Sequence, residues 1–183
     1  MVKTKKIRVK TKKIRIKTKK IRIKTKNIPK KYLPKTLSGK DKLKQRKMLR
    51  RSQRMYKRNK YYTRDKVKSY KSKKSGHILK AEKIYKIDKV VPNKELSEKT
   101  GCSIQGLRQI VKKGQGAYYS SGSRPNQTAH SWGRARLASA ITGGKSSQID
   151  YHILKKSCKK GSKALRLADT SKYKKGIRRV AKT

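Results

Sequence analysis

The chain has 183 residues, and its 59 Lys and Arg against 8 Asp and Glu give a formal net charge of +51. Self-repulsion on this scale opposes compaction and far exceeds what solubility requires, so the composition indicates a polyanionic partner, nucleic acid being the commonest. We expect no membrane partner, because no stretch approaches the length of an apolar span, and no secretion, because the amino terminus lacks the continuous apolar run of a signal peptide.

The positive charge is distributed unevenly. Residues 1–75 contain 34 basic and 2 acidic residues, residues 76–161 contain 17 and 5, and residues 162–183 contain 8 and 1. Only the middle block has enough apolar residues to offset its folding entropy with a core. We therefore predict a mainly α fold, in which a small helical domain with a helix-turn-helix-like unit is flanked by long disordered basic arms. The predicted segments are a repeat arm (1–30), a basic helix with a Tyr/Lys-rich linker (31–75), the helical domain (76–161) and a basic tail (162–183).

The first segment repeats the seven-residue unit T-K-K-I-R-I-K from Thr4 onward. Its apolar residues lie two and five apart, whereas a coiled coil needs spacings of three and four. On a strand, the odd repeat would move successive Ile pairs to opposite faces. Each unit also carries four positive charges and no acid, so we interpret the arm as a disordered polycation. The arm residues predicted to bind nucleic acid are Lys5, Lys6, Arg8, Lys12, Lys13, Arg15, Lys19, Lys20 and Arg22.

The second segment begins with Ser38 followed three residues later by Asp41, a pattern typical of a capping box. A helix with one weakly apolar face is predicted from there to Tyr56, and residues 57–75 are rich in Lys, Arg, Ser and Tyr. Two interpretations stand for these tyrosines. They stack on bases, as in non-specific single-strand binders, or they dock a solvated linker on the neighbouring domain. The residues predicted to bind nucleic acid here are Arg50, Arg51, Arg54, Tyr61 and Tyr62.

Residues 76–91 predict a helix followed by a short extended run. Residues 94–114 then resemble a helix-turn-helix unit: a short helix, Gly101 where a sharp turn needs a positive φ, and a second helix capped by Ser103 and ending at Gly114. Two short helices joined by a glycine turn also occur in any small α domain. The unit therefore either reads bases or contacts phosphates without reading them. The residues of this unit that are predicted to bind nucleic acid are Gln105, Arg108, Lys112 and Lys113, and Ser103 and Gln109 are predicted to lie on the exposed face of the second helix.

A loop rich in Gly and Ser, residues 116–127, leads into a helix that is predicted to begin near Thr128 and to place Trp132 and Leu137 in the core. We predict that the serines and backbone N–H groups of this loop form an anion cradle. A last helix is predicted from Ser147 to Gly161, with Ser147 and Asp150 as its cap. The predicted anion-binding residues of this region are Arg124, Arg134 and Arg136.

No motif in the chain predicts catalysis. The loop contains Ser, His and Tyr, but G-x-S-x-G is absent, and Gly143-Gly144-Lys145-Ser146 lacks the first glycine of a nucleotide-binding loop. Cys102 and Cys158 make neither a disulfide framework nor a metal set, and we interpret them as two core residues in a reducing compartment. We expect no enzyme activity, no cofactor and no metal.

Two runs, Y-Y-S-S-G-S-R-P-N-Q-T (118–128) and S-W-G-R-A-R-L-A-S (131–139), are similar to an uncharacterised domain of giant DNA viruses and large tailed phages. Y-L-P-K-T-L-S-G-K-D (32–41) resembles the start of the same region, which covers roughly residues 30–160. The resemblance implies no activity and no residue roles, but it does imply a viral setting, in the virion or in the virus factory of the host cell.

Beside a small enzyme or a ribosome-like RNA-binding protein, two functional hypotheses follow from the charge and the resemblance. The first is a viral nucleic-acid-binding protein that neutralises and condenses or packages DNA through phosphate contacts, with RNA as the alternative ligand. The second is a virion or virus-factory scaffold whose helical domain binds other proteins while the arms bind nucleic acid. The sequence determines neither a base preference nor the oligomeric state.

Overall fold

The computed structural model describes residues 28–173, and this range is helical, with one isolated bridge in place of a sheet. The mainly α class is thus confirmed. Predictions on residues 1–27, including those for Lys5 to Arg22, and on residues 174–183 lie outside the described residues. After a 3₁₀ turn at Lys30–Tyr32, the helices are α1 (Gly39–Tyr56), α2 (Gly76–Tyr85), α3 (Lys94–Thr100), α4 (Ile104–Ser120), α5 (Ala129–Ile141), α6 (Lys145–Ile149), α7 (Tyr151–Ser157) and α8 (Lys163–Tyr173).

Polar caps set the start of several helices where the sequence predicts them. Ser103 accepts a hydrogen bond from the Gly106 N–H, and Thr128 accepts one from the Ser131 N–H. At α1, Ser38 accepts from the backbone of Asp41, but the second half of the predicted capping box is absent. The Asp41 carboxylate instead accepts from the Ser69 N–H (2.8 Å) and hydroxyl (2.6 Å), which ties α1 to the following linker.

The core lies around α4 and α5, which are neighbours in sequence, with α2 and α8 against α5 and with α1 and α7 against α4. The two central helices approach closely at a pair of glycines: a Cβ on Gly114 would lie 2.6 Å from the Gly133 Cα. Leu137 is fully buried in this core, as predicted. Trp132 is not part of it, because its half-buried ring packs edge-on against Tyr32 at 5.9 Å between centroids.

The glycine contact corrects the predicted end of α4. Gly114 is a buried interior residue of a helix that continues to Ser120, not a terminator. Glycine in a helix interior is less favourable than alanine by about 1 kcal/mol. Here its lack of a side chain allows the backbones of α4 and α5 to approach, and the packing of the two helices offsets the lower propensity.

The carboxyl-terminal helices differ from the predicted single helix. Asp150 lies between α6 and α7, so two short helices replace the predicted one. The predicted caps are also absent: the Asp150 side chain makes no capping bond, and the Ser147 hydroxyl donates to the Gly144 carbonyl. The helical unit also continues past Gly161, beyond which a basic tail is predicted. Ala164 and Ala168 of α8 are fully buried in the main core, so this part of the tail is a packed helix.

The two cysteines form a disulfide that joins positions 56 apart in the sequence. Both cysteines lie in the core, as interpreted, but they are paired with each other, so the inference of a reducing compartment loses its support. The backbone brings them together: the Ser103 N–H donates to the Ser157 carbonyl, and the Lys159 N–H donates to the Gly101 carbonyl, both at 2.8 Å. This short antiparallel bridge fastens the α3–α4 turn to the end of α7.

Candidate nucleic-acid interface

The solvent-facing side of α4 forms one wall of a cleft of about 900 Å³. Residues at successive turns of the helix line it, and the opposite walls come from α7 and from the segment before α3. The polar and basic side chains along the cleft are Gln105, Arg108, Gln109, Lys112, Gln115, His152 and Lys156, and Val91 and Pro92 form an apolar edge.

This cleft changes the interpretation of the α3–α4 unit. The helices and the turn are present, with Gly101 at φ +70°, but this geometry alone does not make a DNA-reading motif. A recognition helix must enter the major groove with its outer face. In α4, that face is flanked by His152 and Lys156 of α7. The residues predicted to read bases therefore share a recess with neighbouring side chains.

A second cleft, of about 490 Å³, continues along α4 towards its carboxyl end. Lys112 lines both clefts, so we treat them together as the α4 groove. No Asp or Glu of the described residues lines either part. The second part is lined by Tyr56, Lys112, Lys113, Gly116, Ala117, Ser120 and Arg136.

Two of the predicted phosphate-binding cations in the second cleft are already paired. Asp150 is fully buried and accepts from Arg136 Nε at 2.7 Å and from its second guanidinium nitrogen at 2.8 Å. Lys113 Nζ lies 3.1 Å from the same carboxylate. The bidentate geometry fixes Arg136 between α5 and the α6–α7 junction. Arg108, Lys112 and Lys156 form no such ion pair in the described part of the chain, so they are the stronger candidates for phosphate contacts.

Three tyrosines form an aromatic patch beside the carboxyl end of the α4 groove. Tyr56 of α1 lies parallel to Tyr119 of α4 (7° between planes, 6.3 Å between centroids), and Tyr61 packs against both, 5.0 Å from Tyr119 and 6.1 Å from Tyr56. Tyr61 is 69% exposed. A Cβ on Gly116 would lie 3.3 Å from the Tyr56 hydroxyl, so this glycine leaves room for the ring. We call Tyr56, Tyr61 and Tyr119 the tyrosine patch.

The other linker tyrosines dock on the protein. Tyr62 and Tyr70 pack against a small apolar cluster of Leu37, Met48 and Val67. The guanidinium of Arg51 lies over the Tyr62 ring at 4.5 Å. Of the two interpretations of this segment, docking thus describes Tyr62 and Tyr70, whereas Tyr61 keeps an exposed ring.

Arg64 fastens the linker to the Gly/Ser loop. It is 8% exposed, and its guanidinium stacks on Tyr118 at 3.6 Å from the ring centroid. It donates to the Ser52 hydroxyl (3.0 Å), to the Tyr118 carbonyl (3.1 Å) at the last turn of α4, and to the Ser123 hydroxyl (2.8 Å). Burial lowers the pKa of Arg64, and nearby tyrosines counter this shift. Sequence reasoning missed this residue, because a lone Arg in a basic linker carries no signal.

The same contacts explain the sequence run Y-Y-S-S-G-S-R-P-N-Q-T. Ser123 is fully buried and occupied by Arg64, so its hydroxyl is not available to an outside anion as the predicted cradle requires. Asn126, at φ +57°, accepts from the Val67 N–H at 2.8 Å and donates to the Val67 and Tyr70 carbonyls. The run therefore builds a structural junction between the linker and α4.

The remaining predicted residues are dispersed. Arg50, Arg54, Arg124 and Arg134 are exposed, and none of them lines the α4 groove. Sequence reasoning also missed Tyr56, Tyr119, His152 and Lys156, which belong to α1, α4 and α7, three helices that only the fold brings together.

Residues 28–173 contain neither a cluster of metal-ligand residues nor a membrane-spanning helix. No group of three or more His, Cys, Asp and Glu in residues 28–173 could hold a metal ion. No helix in that range is long and apolar enough to cross a membrane.

Two side chains of types that occur in catalytic sites have partners within the fold. His130 Nδ1 lies 3.2 Å from the Gln115 amide nitrogen, and the Ser123 hydroxyl accepts a hydrogen bond from Arg64.

A family model described as a family of unknown function, DUF5824, matches residues 29–156. The chain belongs to DUF5824. The matched region contains α1 to α6 and all but the last residue of α7, and hence the α4 groove and the tyrosine patch, while the repeat arm and α8 lie outside it. No curated protein and no solved structure matches the chain. DUF5824 membership brings no activity and no residue roles.

Proposed function

We propose that this DUF5824 protein is a nucleic-acid-binding protein that neutralises and condenses its ligand through phosphate contacts, and that it is not an enzyme. The observation that carries the proposal is the α4 groove, a recess with Arg108, Lys112 and Lys156 along it and no acidic lining from the described residues. Phosphate contacts supply most of the affinity of non-specific nucleic-acid binding. A viral setting and genome packaging, which the resemblance implies, belong to the same proposal.

Within this proposal, the α3–α4 unit contacts phosphates and does not read bases. Its exposed polar face lines a recess and is flanked by α7. The basic arms add affinity through their charge, because linked weak contacts raise the effective concentration of each cation near the strand.

The test is salt-dependent binding of the full chain to duplex DNA, measured by fluorescence anisotropy. Arg108→Ala and Lys112→Ala should each flatten the log–log salt slope by about 0.9 for every phosphate that the variant no longer neutralises, equally on all sequences. The matched controls are Arg166→Ala and Lys83→Ala, which remove the same charges from exposed positions outside the groove. A change of preference at one base position after Arg108→Ala would instead show base reading.

A variant with all Lys and Arg of residues 4–26 changed to Gln separates the arm from the groove. We expect it to lower affinity and the slope on every sequence, in addition to the groove effect. If the arm variant removed all binding while the groove variants behaved like their controls, the groove would not be the interface. The scaffold hypothesis, in which the helical unit binds another protein, would then be favoured.

A further inference from the structure

The α4 groove leads from cations to aromatic rings along one helix. Arg108, Lys112 and Tyr119 belong to α4, and the rise of about 1.5 Å per residue places Arg108 and Tyr119 about 17 Å apart along its axis. Tyr56 lines the groove and belongs to the tyrosine patch as well, so the two features are contiguous. The distance corresponds to about five nucleotides at the duplex rise of about 3.4 Å per nucleotide, and to fewer in an extended strand.

An exposed aromatic patch beside a basic groove is the arrangement that binds unpaired bases. Every base has a π-face, so stacking on tyrosine needs no particular sequence, while the cations follow the phosphates. Paired bases in a duplex are stacked on each other and hide their faces. A duplex would therefore use the cations and leave the rings unused.

We propose that the α4 groove and the tyrosine patch together form a binding site for single-stranded nucleic acid, in which a base stacks on Tyr61 while Lys112 and Arg108 contact the backbone. The inference rests on the proposed function and adds the ligand class and the residue that selects it. Tyr61 is the suited ring, because it is exposed in a patch where Tyr56 and Tyr119 hold it in place. The site takes DNA or RNA, since neither contact depends on the sugar.

The experiment measures affinities of the full chain for oligo(dT), oligo(U) and a duplex, each of about eight nucleotides or base pairs, long enough to cross the groove at the ~3.4 Å rise. Tyr61→Leu should lower the affinity for both single strands by about 5- to 150-fold, the range for removing one stacked base. The duplex affinity should not change. Tyr61→Phe keeps the ring and should behave like the unchanged chain. A 5-iodouracil strand should crosslink to the patch, as located by mass spectrometry.

The outcomes separate this inference from the proposed function. If Tyr61→Leu lowers single-strand and duplex affinity equally, or neither, and crosslinks lie outside the patch, the single-strand site is refuted while phosphate binding stands. If the full chain binds none of the three probes in a salt-dependent way, the proposed function fails and takes the inference with it. An equal decrease in Tyr61→Leu and Tyr61→Phe would also overturn the stacking role, because the ring would not be what matters.

Discussion

Breaking the ion pair between Arg136 and Asp150 should strongly destabilise the fold. Arg136→Met leaves a fully buried carboxylate with Lys113 at 3.1 Å as its remaining ion-pair partner among the described residues. Removing one partner of a buried pair is expected to lower the free energy of unfolding by about 3–5 kcal/mol. The Lys113 contact favours the lower end of that range. At about 2–4 °C per kcal/mol for a domain of this size, the melting temperature should fall by roughly 6–20 °C.

A double-mutant cycle in urea unfolding tests the reasoning. Asp150→Asn alone leaves Arg136, whose side chain is 17% exposed, facing a neutral amide. The double variant removes both charges, so its loss of stability should be smaller than the sum of the single losses by about 0.5–3 kcal/mol. Strictly additive losses, or a loss below about 1 kcal/mol for Arg136→Met, would refute the view that the buried carboxylate depends on this guanidinium.

Three further changes test the packing, the disulfide and one buried hydroxyl. Gly133→Ala places a Cβ 2.9 Å from a backbone carbonyl oxygen of α4 and should lower stability by about 1–3 kcal/mol; the control Gly39→Ala, with no atom within 4 Å of its Cβ, should not. Reducing the Cys102–Cys158 disulfide should lower the free energy of unfolding by up to about 4 kcal/mol from loop entropy, measured with and without reductant. Burial raises the pKa of Tyr85 above that of tyrosine in the unfolded chain, which ionises at about pH 10. The stability that the buried, protonated Tyr85 contributes is therefore present below about pH 10 and is lost as the pH rises further. Tyr85→Phe should therefore show a smaller alkaline decrease in stability in urea unfolding between about pH 9 and 11.

Helix starts could be predicted from the sequence because capping is a local effect. Ser103 and Thr128 each bond to a backbone N–H three residues away, so the residue type and its spacing carry the information. The end of α4 could not be predicted in the same way. Gly114 lowers the local propensity, and only its contact with Gly133, in another helix, shows why the helix continues.

The candidate site was predictable in its charge but not in its assembly. Arg108 and Lys112 lie on the face that helical periodicity assigns to them. Whether a cation is available is a tertiary property: Arg136 and Lys113 have the same local signal, yet a carboxylate 14 or more residues away pairs with both. Tyr56, Tyr61 and Tyr119 likewise belong to three separate segments, so no periodicity within one segment could join them into a patch.

Several of the eight acids of the chain make specific contacts within the fold. All eight lie within residues 28–173, among 40 Lys and Arg. Asp150 neutralises cations at the junction of three helices, Asp41 ties α1 to the linker, and Glu82 and Glu95 pair with single lysines. Arg64 is a buried cation with no carboxylate partner among the described residues. Two hydroxyls, one carbonyl and one tyrosine ring take the place of the carboxylate. Along the α4 groove, Arg108, Lys112 and Lys156 receive neither kind of compensation from residues 28–173. Since like charges along a recess repel one another, we expect the proposed ligand, a nucleic acid that brings several anionic groups in a row, to stabilise this arrangement.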